Sequence, residues 1–327
     1  MGVFEVTSAV SRRRMITFKI AHGEKIMARM TILAGLMAAT LAGPAFAADV
    51  AVPVAPAAPV SPWDFAFGAK AMSDYNFRGI SQSARGPAFS AYGELRYNWL
   101  YGGAAFWTTK LPNAPVGEID LYAGIRPVFG NLTLDLGVMY YLYTPERQFI
   151  TDYVAGPAPV IVVPPTALAG IWTPKNTDFW EFYGKAGYDF TPQLNIGAAV
   201  YYAPNWLGTG ASGTYAELNA KYKLPSDFAI SGAIGHYWLG TTSFLPTGTN
   251  FNIKDYLYWN AGVSWTYKET VTLDLRYHGT NLNSTDCFAT TSDYRGVFSG
   301  SGRSNWCGHS VVATLSVDLQ WSKLPLR

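Results

Sequence analysis

Charge is scarce in this chain. Asp, Glu, Lys and Arg make up 14% of its 327 residues, where soluble domains carry about 25%. Long apolar runs are scarce as well. Mean hydropathy is +0.06, far too low for a bundle of membrane-spanning helices. There are two cysteines, Cys287 and Cys307, and four histidines. With His309 the cysteines lack the tight spacing of a zinc site, and no P-loop, Rossmann turn, CxxC pair or HExxH run is present. Residues 1–47 hold six of the basic residues and two of the acidic ones, leaving 18 basic and 20 acidic residues in the remainder. That balance leaves no basic face for nucleic acid. No cofactor or metal is expected.

What the chain does have is aromatic residues at 15%, among them 21 Tyr. Low charge, many aromatics and middling hydropathy fit strands that alternate lipid-facing and lumen-facing residues. The N-terminus reads as an address. Lys25 and Arg29 precede the apolar run Met30–Leu41, and Ala45-Phe46-Ala47 is an A-x-A cleavage site, so residues 1–47 are expected to be a signal peptide, with Met27 an alternative start. Pro53, Pro56, Pro59 and Pro62 space residues 48–62 as an extended periplasmic linker. Residues 63–321 are expected to form the barrel and 322–327 a short tail.

Strand-like segments fall at 64–77, 87–99, 100–109, 118–129, 131–144, 177–190, 193–203, 214–224, 226–240, 255–268, 270–281 and 309–321. Short turns alternate with long loops, the pattern of bacterial outer-membrane barrels. The expected fold is all-β: a transmembrane, antiparallel, up-and-down β-barrel of about twelve strands, with both termini periplasmic.

The stretch Ser73-Asp74-Tyr75-Asn76-Phe77-Arg78-Gly79-Ile80-Ser81-Gln82-Ser83 resembles the first-hairpin motif of the TorF-type porin family. The resemblance implies a barrel and a pore, and no particular substrate. Read from its own alternation, the stretch continues the first strand to Phe77 and turns at Arg78-Gly79.

The charge pattern supports the barrel directly. Lys70, Asp74, Glu94, Arg96, Asp120, Arg126, Asp135, Glu181, Lys185, Asp189, Glu217, Lys221, Lys223, Asp274, Arg276 and Asp318 all fall on the polar parity of their segments. A charge on the lipid face at the bilayer midplane costs about 2–4 kcal/mol. These residues should therefore line the lumen. Arg78, Arg96 and Arg126 are the candidates for one basic arc, with Asp74 and Glu94 beside them, and Lys185, Lys221 and Lys223 for another. Arg276 and Asp120 complete the candidate selectivity set. Inward Gly68, Gly124, Gly137, Gly197, Ala199 and Gly262 should leave room for solute, and inward Tyr92, Tyr122, Tyr141 and Tyr201 should take some back. Trp63, Trp99, Trp107, Trp180, Trp206, Trp238 and Trp321 are expected in interfacial girdles.

Cys287 and Cys307 should form a disulfide after export to an oxidising compartment. The 145–176 loop, with its apolar Val160–Val163 run, either constricts the mouth, covers a neighbouring subunit of a homo-oligomer or rests on the rim. The expected function is passive diffusion of ions or small hydrophilic solutes across the outer membrane of a Gram-negative bacterium. The partners are outer-membrane lipid, the solute and the barrel-insertion machinery. The alternatives are a structural or adhesive barrel with a blocked lumen and an outer-membrane hydrolase, for which His278 could pair with Asp274 only at about 13 Å along the strand and so would need a cross-strand carboxylate such as Asp318.

Overall fold

The computed structural model describes residues 61–151 and 167–324. The signal peptide, most of the linker, the Val160–Val163 run and the last three residues lie outside the described residues. The twelve barrel strands are β1 Trp63–Met72, β2 Ala88–Tyr97, β3 Leu100–Trp107, β4 Glu118–Ile125, β5 Leu132–Tyr143, β6 Phe179–Asp189, β7 Leu194–Ala203, β8 Gly213–Lys223, β9 Phe228–Leu239, β10 Tyr256–Tyr267, β11 Val271–Thr280 and β12 Ser310–Gln320. Each pairs antiparallel with its sequence neighbours. The sheet closes where β1 meets β12, in register from Ala66 opposite Gln320 to Met72 opposite Thr314. No free edge remains in the wall, which is the condition for a sheet to sit in hydrocarbon.

The wall is inverted relative to a soluble protein. Phe89, Leu218 and Val311 on its outside are 60–62% exposed, as are many other large apolar residues all round the circumference, whereas Glu94 and Glu181 inside are 1% exposed. None of the sixteen parity-selected charges is an exposed residue. A soluble monomer rarely exposes an apolar patch beyond a few hundred Å², so this surface requires lipid. Exposed Trp63, Trp99 and Trp321 ring the end that carries the termini, and Trp180 and Trp238 ring the other. Trp107 and Trp206 correct the expectation of a girdle role: both are buried inside. Trp107 has the inward parity of Tyr101 and Ala105 in β3, and Trp206 lies in a single 3-10 turn that folds over the mouth onto Tyr237.

Segment boundaries match the expected strands with one substantial difference. β1 stops at Met72, and Asn76–Phe77 pairs with Ile80–Ser81 in a separate small hairpin. Long connections 73–87, 108–117, 144–178, 204–212, 240–255 and 281–309 gather at one end, the loop end, and short turns at the other, the turn end. The last long loop carries two short helices that alternation could not foretell: α1, Ser284–Thr291, capped by Asn283, and α2, Tyr294–Phe298, capped by Asp293. The Cys287–Cys307 disulfide ties α1 to the segment entering β12, with Cα atoms 5.7 Å apart.

Turn-end hairpins put unfavourable residues in the left-handed region: Lys268 and Glu269 have φ of 49° and 58°. Two such residues in succession suit Asn-Gly far better. Lys268→Asn with Glu269→Gly should therefore raise stability by about 1 kcal/mol, seen as a higher midpoint in urea unfolding from lipid vesicles; an unchanged midpoint would refute this.

Candidate functional site

The first-hairpin motif does not continue the wall. It bends inward and lodges in the lumen, and its residues account for the bend one by one. Asp74 accepts hydrogen bonds from Ser81 Oγ (2.5 Å) and Ser83 Oγ (2.9 Å), pulling the two limbs together. Ser83 Oγ also accepts from the Tyr75 backbone N–H at 2.9 Å, and the Gln82 N–H donates to the Tyr75 carbonyl at 2.7 Å. At the tip, Arg78 and Gly79 have φ of 46° and 87°, the two-residue geometry that closes tight hairpins. Gly79 N–H donates to Asn76 Oδ1 at 3.0 Å. A Cβ at Gly79 would collide with Thr280 and Tyr258 of the wall, so Gly is required there for conformation and for space. Arg85, behind the hairpin, pairs with Asp74 at 3.4 Å; burial lowers its pKa while Asp74 acts in the opposite sense.

Arg78 is the point of the plug. It is 2% exposed. Its two terminal nitrogens donate to Glu181 Oε1 and Oε2 of β6 at 2.7 and 2.9 Å, a bidentate pair. Nη1 also donates to Tyr237 Oη at 3.1 Å, and Tyr256 Oη donates to the Arg78 carbonyl at 3.1 Å. Rings of Phe77, Tyr201 and Tyr215 lie 4.4–4.6 Å from its guanidinium carbon, and these contacts add cation–π attraction. Tyr141 Oη completes the Glu181 shell at 3.0 Å.

Arg78 is thereby separated from the arc expected of it. Arg96 and Arg126 do come together, on a shared carboxylate. Arg96 Nε and Arg126 Nη1 lie 2.6 and 3.1 Å from Glu94 Oε1. Arg126 continues to Asp135 at 3.4 Å, and Asp135 to Lys185 at 3.6 Å. Lys185 therefore belongs to this ladder rather than to an arc with Lys221 and Lys223, which sit farther along β8 towards the turn end. Tyr101 donates to Asp135, lies 2.6 Å from Tyr183 Oη and stacks under Arg126. Arg276 forms a third group with Asp274 (2.8 Å), Asn260 (2.7 Å) and Ser231 (2.8 Å). Asp120 accepts from Trp107 Nε1 at 2.8 Å, and neighbouring Glu118 from Tyr75 Oη at 2.6 Å. Asp74 serves the hairpin itself.

Gly68, Gly124 and Gly137 do not leave the room expected of them, since tyrosine rings, Tyr92 over Gly68 among them, take that space. Tyr rings from adjacent strands lie across the glycines: Tyr101 over Gly124, Tyr183 over Gly137 and Tyr122 over Gly103. The missing side chain on one strand makes the seat for the ring of the next, a pairing also used to stabilise designed sheets. His278 is engaged by Tyr258 Oη at 2.8 Å, and neither Asp274 nor Asp318 approaches it within hydrogen-bonding distance.

Sequence reasoning passed over Arg78's partner Tyr237 and the plug itself, and it read Tyr141 only as an inward space-filler. A signal existed: Gly79 follows Arg78 between two short alternating limbs, and the Asp, Ser and Ser spacing favours a local turn over a wall strand.

A family described as "Bacterial protein of unknown function (Gcw_chp)" matches residues 56–162. That description differs from the TorF-type family which the motif resembles, and it states no activity. No curated protein matches the chain. Among solved structures, the KdgM porin in complex with disordered oligogalacturonate is 7% identical with a TM-score of 0.41, covering 79% of this chain and 97% of that one. The NanC porin is 13% identical with a TM-score of 0.43, covering 79% and 100%. OmpT of Vibrio cholerae, an outer-membrane protein, is 8% identical with a TM-score of 0.35, covering 79% and 97%. In architecture the chain is a closed, twelve-stranded antiparallel β-barrel. At these similarities the assignment rests on its own strand pairing and inverted surface.

A hydrophilic maleimide should report the lodged plug. Both native cysteines are in the disulfide, so Ile80→Cys, at a buried position, supplies the only thiol. Labelling should be slow in that variant and at least ~10-fold faster when Gly79→Ala or Arg78→Ala is added, since a 1.4 kcal/mol loss of anchoring already shifts an equilibrium tenfold. Equal rates in all three would mean that the hairpin is not anchored by these residues.

Proposed function

We propose that the protein is an outer-membrane channel of the porin type, with the first hairpin as its closing element. It passes ions or small hydrophilic solutes down their gradients when the hairpin leaves the lumen. One observation carries this reading. The lumen is obstructed by a segment that is not part of the wall, anchored at its tip by the bidentate Arg78–Glu181 ion pair and by hydrogen bonds to Tyr237 and Tyr256, and the ladder of Glu94, Arg96, Arg126, Asp135 and Lys185 lies on the wall beyond it. Arg96 also lines a cavity of about 120 Å³ at the turn end, with Tyr92, Asp318 and Gln320. Wall-mounted charges of both signs are what a selective aqueous passage needs. The motif's resemblance to the TorF-type porins agrees with this. In the membrane the termini and the turn end face the periplasm, lipid covers the apolar wall, and the insertion machinery reads the β12 end near Trp321.

A second reading is a structural barrel that never opens. The near-complete burial of Arg78 and Glu181, 2% and 1% exposed, favours it. Planar-bilayer recording separates the two. Wild-type protein should give rare or small steps. Arg78→Ala leaves Glu181 buried and unpaired in the closed state, a penalty of about 3–5 kcal/mol, so the open fraction should rise more than ~10-fold. Arg96→Ala in that background should shift the reversal potential towards cations. A folded Arg78→Ala barrel that stays silent would defeat the channel reading and leave the structural one.

A further inference from the structure

Above the plug, the loop end encloses a cavity of about 330 Å³, within the size range of small-molecule sites. Trp172, Trp206, Trp306, Phe244, Phe251 and Phe288 line it, with Ile80 and Gln82 of the plug hairpin also among the lining residues. These aromatic residues come from four separate loops, so the cup exists only because the loops pack together. Trp172 stands edge-on to Phe288 of α1, with ring centres 5.4 Å apart, and the disulfide holds α1 beside Trp306.

The lining has an unusual chemistry for the mouth of a charged lumen. No Lys, Arg, Asp or Glu is among the described lining residues. Its polar groups are already engaged: Asn113 and Thr177 with Glu146 at 2.6 Å each, Thr173 with the Phe149 N–H at 2.8 Å, and Thr209 with the Trp206 carbonyl at 2.5 Å.

We propose that this cup is a binding site for a small uncharged molecule with an apolar, flat body. Aromatic walls favour a planar ligand. The absence of a counter-charge selects against ions, and the engaged hydroxyls select against sugars, which need many partners. This site is independent of whether the barrel conducts, and its test reads binding alone.

The test uses the full barrel in lipid nanodiscs with 5-fluorotryptophan, its fluorine resonances assigned by single Trp→Phe variants. Acetophenone is the probe, with benzoate and methyl glucoside as its charged and sugar counterparts. The expected result is saturable movement of the Trp172, Trp206 and Trp306 resonances by acetophenone. The belt residues Trp63, Trp99, Trp180, Trp238 and Trp321 should stay still, and benzoate and methyl glucoside should bind at least ~10-fold more weakly. Ala289→Trp, a lining position on the solvent side of α1, should abolish the movement by filling the cup while leaving the belt resonances in place. Equal movement of all tryptophans would mean partition into lipid and would overturn the site. So would no movement up to millimolar probe, or tighter binding of benzoate or the glucoside.

Discussion

Closure of the sheet is the constraint on which everything else depends. A strand in hydrocarbon has no water to take its N–H and C=O groups, so β1 must find β12, and the register of that seam aligns the alternation of every strand between them. Once closed, the wall sends one parity to lipid and the other to the interior. The sixteen charges have nowhere to go but inward. There they are crowded enough that most end in ion pairs or in hydrogen bonds with tyrosine, and not in contact with bulk water.

The interior follows from that crowding. Buried charges are tolerated only when paired and hydrogen-bonded. The barrel meets this requirement with tyrosine, which fills volume with its ring and satisfies a carboxylate with its hydroxyl. Glycines opposite these rings make the seats. The plug uses the same chemistry at its tip, where Arg78 meets Glu181 among four aromatic rings. The loop-end cup lies on the other side of the same hairpin and shares Ile80 and Gln82 with it, which places an apolar surface directly above a charged one.

Much of this was legible from alternation alone. The twelve segments, the inward parity of the charges and the crowding of long loops at one end were readable, because a period of two and a hydrocarbon solvent leave few other arrangements. The exceptions have a common origin. Tyr75 and Phe77 continue the outward parity of β1 by position, yet they lie inside, since hydrogen bonds from Ser81 and Ser83 to Asp74 turn the chain after Met72. Trp107 and Trp206 look like girdle residues by composition and are interior because of parity and loop folding. Lys185 joins Arg126, and Arg78 leaves it, because neighbours in the barrel are set by side-chain reach across several strands and not by membership of a sequence arc.

The sequence by itself determined the barrel, its inside and its outside, since side-chain alternation against lipid is a local rule that each strand obeys separately. Only the tertiary structure decided what fills the barrel. Which tyrosine lies over which glycine, which carboxylate receives Arg78, and which loops meet to form a cup depend on contacts between residues as far apart as Arg78 and Tyr256. No local pattern carries that information.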